Sequence, residues 1–96
     1  MKLLEVKKSP RAGKKLVAVF QEHNGRVINR HFGARGMSDY TINKDPARRE
    51  LYLQRHEARE NWADPKSAGA LSKWILWGRS TDLQTNIADF KRHFGL

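Results

Sequence analysis

The chain of 96 residues contains no cysteine, only three prolines and no long apolar run. Without cysteine, neither a disulfide nor a thiolate-bound metal can hold the fold together, so hydrophobic packing has to suffice. No stretch approaches the roughly 20 apolar residues of a membrane span, and residues 1–15 lack the apolar core, about 7 to 15 residues long, of a signal peptide. We therefore expect a soluble protein of one domain, without a secretion signal.

Acidic side chains are also scarce: ten Asp and Glu stand against nineteen Lys and Arg, which leaves a net charge of +9. The imbalance is concentrated in residues 1–36, which carry nine basic and two acidic side chains, whereas residues 37–96 carry ten and eight. Such a surplus predicts a polyanionic partner, most often nucleic acid and less often an acidic protein or a membrane surface. Solubility is the alternative explanation of the charge.

The densest apolar stretch runs from Trp62 to Gly78 and contains all three tryptophans. Asp64 followed by Pro65 is typical of a helix start, because the carboxylate accepts from free amides and the first helical position needs no amide donor. Gly78 suits the left-handed conformation that ends many helices. The pattern predicts a helix from Pro65 to Trp77 whose broad apolar face makes it the central core element.

The N-terminal part predicts β-structure. Residues 1–13 have little to bury, so we expect a basic arm or a short edge strand, followed by a single α+β domain over residues 14–96. Strands are predicted at 15–22 and 27–32, joined into a hairpin at Asn24-Gly25, with a short third strand at 39–42. The buried face of the hairpin stays open between two sets of side chains: Val17, Val19, Ile28 and Phe32, or Leu16, Ala18, Phe20 and Val27.

Two more helices are predicted in the second half. Asp45-Pro46 repeats the helix-start pattern and predicts a helix from Pro46 to about Glu60. A second helix should follow Ser80-Thr81, with Thr81 and Gln84 in capping-box spacing and Gly95 as its end. The predicted fold class is α+β: an antiparallel hairpin or three-stranded sheet, then three helices packed on the tryptophan-rich central helix.

Several unusual residues recur in order as a signature: His31-Phe32-Gly33, Gly36, Ser38-Asp39-Tyr40-Thr41-Ile42, Lys44-Asp45, Arg55-His56, Trp62, Asp64-Pro65 and the run from Ala68 to Trp77. The chain resembles, from Lys14 to Leu96, a family of small basic proteins of giant, nucleocytoplasmic large DNA viruses. The resemblance implies a viral origin and a role associated with the virion or the genome. It brings no catalytic residues.

The sequence predicts no enzyme, no cofactor and no metal site. The four histidines are scattered, and the His56/Glu60 pair offers two ligands where zinc needs three or four. Asp39 with Ser38 and His31 has no nucleophile on a recognisable elbow, and a nuclease would need a magnesium-binding carboxylate cluster. Gly33-x-x-Gly36 is neither a P-loop nor a dinucleotide fingerprint, because no helix begins there and no Lys-Ser/Thr follows.

Nucleic-acid binding without sequence specificity is the leading hypothesis, because cations along a phosphate backbone position a protein without reading bases. The expected partner is DNA, carried in the virion or met in the host cytoplasm or nucleus, and no membrane partner is predicted. The alternative is a minor capsid or scaffold protein that uses its basic arm for protein contacts. The candidate binding residues are Lys7, Lys8, Lys14, Lys15, Arg26, Arg30, Arg35, Arg48, Arg55 and Arg59, and Tyr40 and Tyr52 are open to either base stacking or packing.

Overall fold

The computed structural model describes all residues from Met1 to Leu96. Its first half is an antiparallel sheet of three strands, β1 (Lys2–Lys8), β2 (Lys14–Gln21) and β3 (Val27–Ala34), in the order β1-β2-β3. Helices follow, so the predicted α+β class with an antiparallel sheet before the helices is confirmed. Of the two alternatives for the N-terminal residues, the edge strand is found: β1 pairs with β2, and Leu3 is buried in the core.

The hairpin between β2 and β3 is confirmed, and its turn fixes which face is buried. A three-residue loop ends at Gly25, whose φ of +88° needs glycine, and the Glu22 amide donates to the Arg26 carbonyl at 2.8 Å. Phe20 therefore pairs with Ile28, whereas a two-residue turn at Asn24-Gly25 would shift the register by one residue and reverse one strand's faces. Neither of the two predicted sets of side chains is the buried face. The core face takes Ala18 and Phe20 from one set and Ile28 and Phe32 from the other.

The predicted strand at 39–42 is wrong, because a short helix, α1 (Tyr40–Asn43), lies there. Asp39 precedes it in extended conformation, and its carboxylate accepts hydrogen bonds from the Thr41 amide at 2.9 Å and from the Thr41 hydroxyl. This side-chain cap outweighs the β-propensity of the β-branched pair Thr41-Ile42. Lys44, with φ of +54°, ends the helix.

Two predicted helices are confirmed with small shifts at their ends. Helix α2 spans Pro46–Glu57, and the Asp45 carboxylate accepts from the first-turn amides as expected. It ends about three residues before the predicted Glu60. Helix α4 spans Leu83–Phe94 and ends at Gly95, whose φ is +68°, but Asp82 rather than Thr81 caps it, accepting from the Thr85 amide at 3.0 Å.

The tryptophan segment does not form the predicted helix from Pro65 to Trp77. Helix α3 (Ala68–Leu71) begins only after Ser67, whose hydroxyl accepts from the Ala70 amide at 3.1 Å, because the Asp64 carboxylate turns the chain at Lys66 instead. A wider π turn, Ser72–Leu76, then continues it. Trp77, the one buried tryptophan, directly follows this turn.

Gly78 follows the π turn but is not a left-handed helix end. A side chain at this position would collide with the Trp74 carbonyl and the Asn86 amide group, so glycine is needed for close packing. Asn86 fixes this corner by donating to the carbonyls of Ile75 at 3.0 Å and Ser80 at 2.8 Å.

One core joins the sheet, α3 with its π turn, and α4. None of the helices has the length and apolar character needed to cross a membrane. The core consists of Leu3, Ala18, Phe20, Ile28, Phe32, Leu71, Ile75, Leu76, Trp77 and Phe90.

Candidate nucleic-acid interface

A cleft of about 600 Å³ opens between helix α2, the start of α3 and the end of the hairpin where β2 begins. Four of the ten predicted binding residues line it, and we call it the basic cleft: Lys14 and Lys15 from β2, and Arg48 and Arg55 from α2. His56 and two carboxylates, Asp39 and Glu60, also line it. Residues far apart in sequence are therefore brought together on one concave surface.

Helix α2 presents Arg48, Tyr52 and Arg55 to the cleft because positions i, i+4 and i+7 share one helical face. Both arginines are exposed, and neither they nor Lys14 form an ion pair with a carboxylate. Three cations thus keep their charge uncompensated at this site. Arg59 was predicted on the same face, but the helix ends at Glu57, and Arg59 lies outside the cleft lining.

Lys15 is the one cation of the cleft that is used internally. Its ammonium group lies 2.6 Å from the Asp39 carboxylate, and the two side chains are only 16% and 2% exposed. Asp39 caps α1 at the same time, so this ion pair ties β2 to the segment that leads into α1 and α2. No pattern in the sequence predicts this contact between residues 24 positions apart.

An aromatic stack forms another wall of the basic cleft. The Tyr52 ring lies between Trp77, at 4.4 Å and nearly parallel, and His56, at 4.2 Å. Burial, and secondarily the Glu60 carboxylate, raise the pKa of Tyr52 to about 12, against a weaker opposing effect of a hydrogen bond with Ser72. Tyr52 is therefore uncharged at neutral pH. His56 ends the stack, keeps 36% of its side-chain exposure and lies 3.2 Å from Glu60 through Nδ1.

Helix α2 is fastened to the rest of the molecule by Arg49. Its Nε donates to the carbonyls of Trp77 at 3.1 Å and Gly78 at 2.8 Å, and its guanidinium lies 5.8 Å from the centre of the Tyr40 ring. Sequence reasoning missed both Arg49 and the role of His56. The spacing of Tyr52 and His56, one helical turn apart, was the available signal for the stack.

The loop between β1 and β2 is held by Ser9, which is buried. Its hydroxyl lies 2.6 Å from His31 Nδ1, and its carbonyl accepts from the Arg35 guanidinium at 2.9 Å. Partial burial, and then the charges of Arg11 and Lys14, lower the pKa of His31, so this histidine is neutral at neutral pH. Arg35, one of the candidate binding residues, thus holds the start of the loop that leads to Lys14.

The remaining predicted residues do not join the basic cleft. Lys7 lies 3.6 Å from Glu5 on the exposed edge strand, and Lys8 is exposed at the end of that strand. Arg26 lies at the hairpin turn, and Arg30 lies in the middle of β3, opposite Ala18. Because β2 has eight residues, the hairpin turn is roughly 25 Å from Lys14 at about 3.3 Å per residue. The ten positions therefore fall into a cleft cluster and scattered surface cations.

A family model described as a family of unknown function (DUF5754) matches residues 4–56, more than half of the chain. The match covers most of β1, all of β2, β3 and α1, and nearly all of α2. It therefore includes all four basic residues of the cleft, and it stops before the segment that contributes Trp77. No curated protein and no solved structure matches the chain.

Proposed function

Because the chain belongs to this family of unknown function, DUF5754, we propose its function from the geometry of the basic cleft: it binds nucleic acid without enzymatic activity and with little sequence preference. The observation that carries the proposal is the convergence of Lys14, Arg48 and Arg55, none of them paired, on one concave surface. Cations that neutralise phosphates and release counterions supply most of the affinity in binding of this kind.

The residue types support a phosphate ligand in particular. Arginine presents a planar fork that matches two oxygens of a phosphate, and the two arginines lie about two helical turns apart on the same face of α2. Asp39 is paired with Lys15, and the Glu60 carboxylate contacts the His56 ring. The four basic side chains of the cleft outnumber its two carboxylates, so an incoming phosphate meets net positive charge.

We further propose that the tryptophan segment, residues 62–78, is the scaffold on which this surface depends. Trp77 is buried in the core and supports Tyr52 of α2 by direct stacking. The resemblance to proteins of giant viruses adds a cellular context to the proposal, in which the protein accompanies the virion or the genome.

Binding to labelled oligonucleotides, measured by fluorescence anisotropy over a series of salt concentrations, tests the proposal. The logarithm of the binding constant should fall linearly with the logarithm of the salt concentration. The slope is about −0.9 per neutralised phosphate for duplex DNA and about −0.7 for a single strand. Replacing Arg48 and Arg55 together by Gln should make the slope less steep by about 1.8 or 1.4, respectively. Probes of unrelated sequence should bind alike.

The matched control is the double replacement of Arg26 and Arg30 by Gln, because it removes the same charge from residues that do not line the cleft. It should leave the slope close to that of the original protein. Equal losses in both double variants would show a diffuse charge effect and not a site. No binding of either probe at about 50 mM salt would refute the proposal and favour a protein partner, as for a capsid or scaffold component.

A further inference from the structure

The basic cleft combines cations with an aromatic surface, and a nucleic-acid duplex can seldom contact both at once. Lys14, Arg48 and Arg55 suit a phosphate, whereas the stack of Trp77, Tyr52 and His56 offers an aromatic surface in the same cavity. In a duplex the bases are paired and stacked on one another, so their faces cannot reach a protein ring unless a nucleotide leaves the helix. An unpaired nucleotide presents both a phosphate and a free base face.

We propose that the basic cleft receives one unpaired nucleotide of a single strand, with its phosphate between the arginines and its base against the outer face of His56. This inference rests on the proposed function and specifies the form of nucleic acid. His56 is the terminal ring of the stack: Tyr52 covers one face at 4.2 Å, and no other aromatic ring stacks on it. The base would extend the existing stack from three rings to four.

The dimensions and spacing agree with this ligand. The volume of about 600 Å³ lies within the range of cavities that hold small organic molecules. Arg48 and Arg55 lie two turns apart on α2, roughly 10 Å at about 1.5 Å per residue, and His56 follows Arg55 directly. All three side chains line the same cleft. A nucleotide whose phosphate contacts Arg55 can therefore place its base against His56.

The experiment compares a labelled single strand of mixed sequence with a duplex of the same length at one salt concentration. The single strand should bind more tightly. His56→Ala should weaken single-strand binding by at least about 5-fold, the lower end of what one stacked base contributes, and should leave duplex binding unchanged. His56→Phe should retain the affinity, because it keeps the ring and removes only the contact with Glu60.

His23→Ala is the matched control, since His23 is exposed at the hairpin turn. Thermal unfolding of each variant shows whether the fold is kept. Equal binding of both probes, unaffected by His56→Ala but weakened by the Arg48/Arg55 double variant, would overturn this inference and leave the proposed function standing. Failure of both probes to bind would overturn both.

Competition separates a strand from a free nucleotide. Millimolar nucleoside monophosphate should displace the single strand more effectively than inorganic phosphate at the same ionic strength, because only the former has a base. Displacement by phosphate alone to the same extent would overturn the stacking contact. Displacement at micromolar nucleoside monophosphate would show that the cleft binds free nucleotides, and it would overturn the proposal that the ligand is part of a single strand.

Discussion

Removing the charge of Asp39 should destabilise the protein markedly. In Asp39→Asn the side chain keeps an oxygen that can accept from the Thr41 amide, so the cap of α1 survives, but the Lys15 ammonium group loses its partner at 2.6 Å. Breaking a buried ion pair on one side costs about 3 to 5 kcal/mol. Lys15 is 16% exposed and lines the cleft, so it regains some water, and we expect a loss of about 2 to 3 kcal/mol.

Urea unfolding followed by circular dichroism measures this loss as a lower midpoint with an unchanged slope. For a chain of this size the same loss lowers the melting temperature by roughly 10 to 20 °C, at about 4 to 8 °C per kcal/mol. Asp39→Ala should lose about 1 kcal/mol more, because it also removes the helix cap.

Two comparisons decide whether the ion pair is the cause. The double variant Asp39→Asn/Lys15→Met removes both charges and should recover most of the lost stability, because no unpaired buried charge remains. Glu5→Gln breaks an exposed pair with Lys7 and should cost no more than about 1 kcal/mol. A loss in Asp39→Asn below about 0.5 kcal/mol, or a double variant less stable than either single one, would refute the reasoning.

Two further predictions concern other parts of the fold. Gly33→Ala should lower the free energy of unfolding by about 1 to 3 kcal/mol in urea titrations, because φ is +79° and the new Cβ would lie 2.8 Å from Leu76 Cδ1; Gly36→Ala, with φ of +90° and open space, should lose less. A hydrogen bond from Arg79 is the largest of the effects that hold the pKa of Asp89 below its usual 3.8. The ionised Asp89 carboxylate therefore stabilises the fold above pH 3.8. The free energy of unfolding should fall as the pH drops through and below that value. Unfolding curves of Asp89→Asn should lack this loss if the ion pair is its source.

The sequence predicted well the features that depend on neighbouring residues. Asp45-Pro46 marks the start of α2 because a cap and a proline act within one turn. The hairpin was likewise readable from Asn24-Gly25 between two β-branched runs. The same kind of pattern failed at Asp64-Pro65, where the carboxylate turns the chain locally and leaves Ser67 to cap the helix.

Features that depend on contacts between residues far apart in the sequence could not be predicted from the sequence. The added loop residue that places Phe20 beside Ile28 shifts the register by one, and a one-residue shift exchanges the faces of a whole strand. The pairing of Lys15 with Asp39 joins segments that no local pattern connects. Arg48 and Arg55 were predicted to share a helical face, but their position opposite Lys14 follows from the packing of α2, which sequence periodicity does not describe.

Helix α2 contains no fully buried residue, and it is tied to the core at Trp77 and Gly78 through Arg49 and Tyr52. The side of the basic cleft that is built on the sheet should therefore be rigid. The α2 side should open at a lower free energy, because elements with little buried surface do so. We expect α2 to move before the sheet and α4 do, which would change the width of the cleft. Replacing Arg49, which holds α2 to the carbonyls of Trp77 and Gly78, should consequently change the opening of the cleft before it changes the melting temperature of the whole molecule.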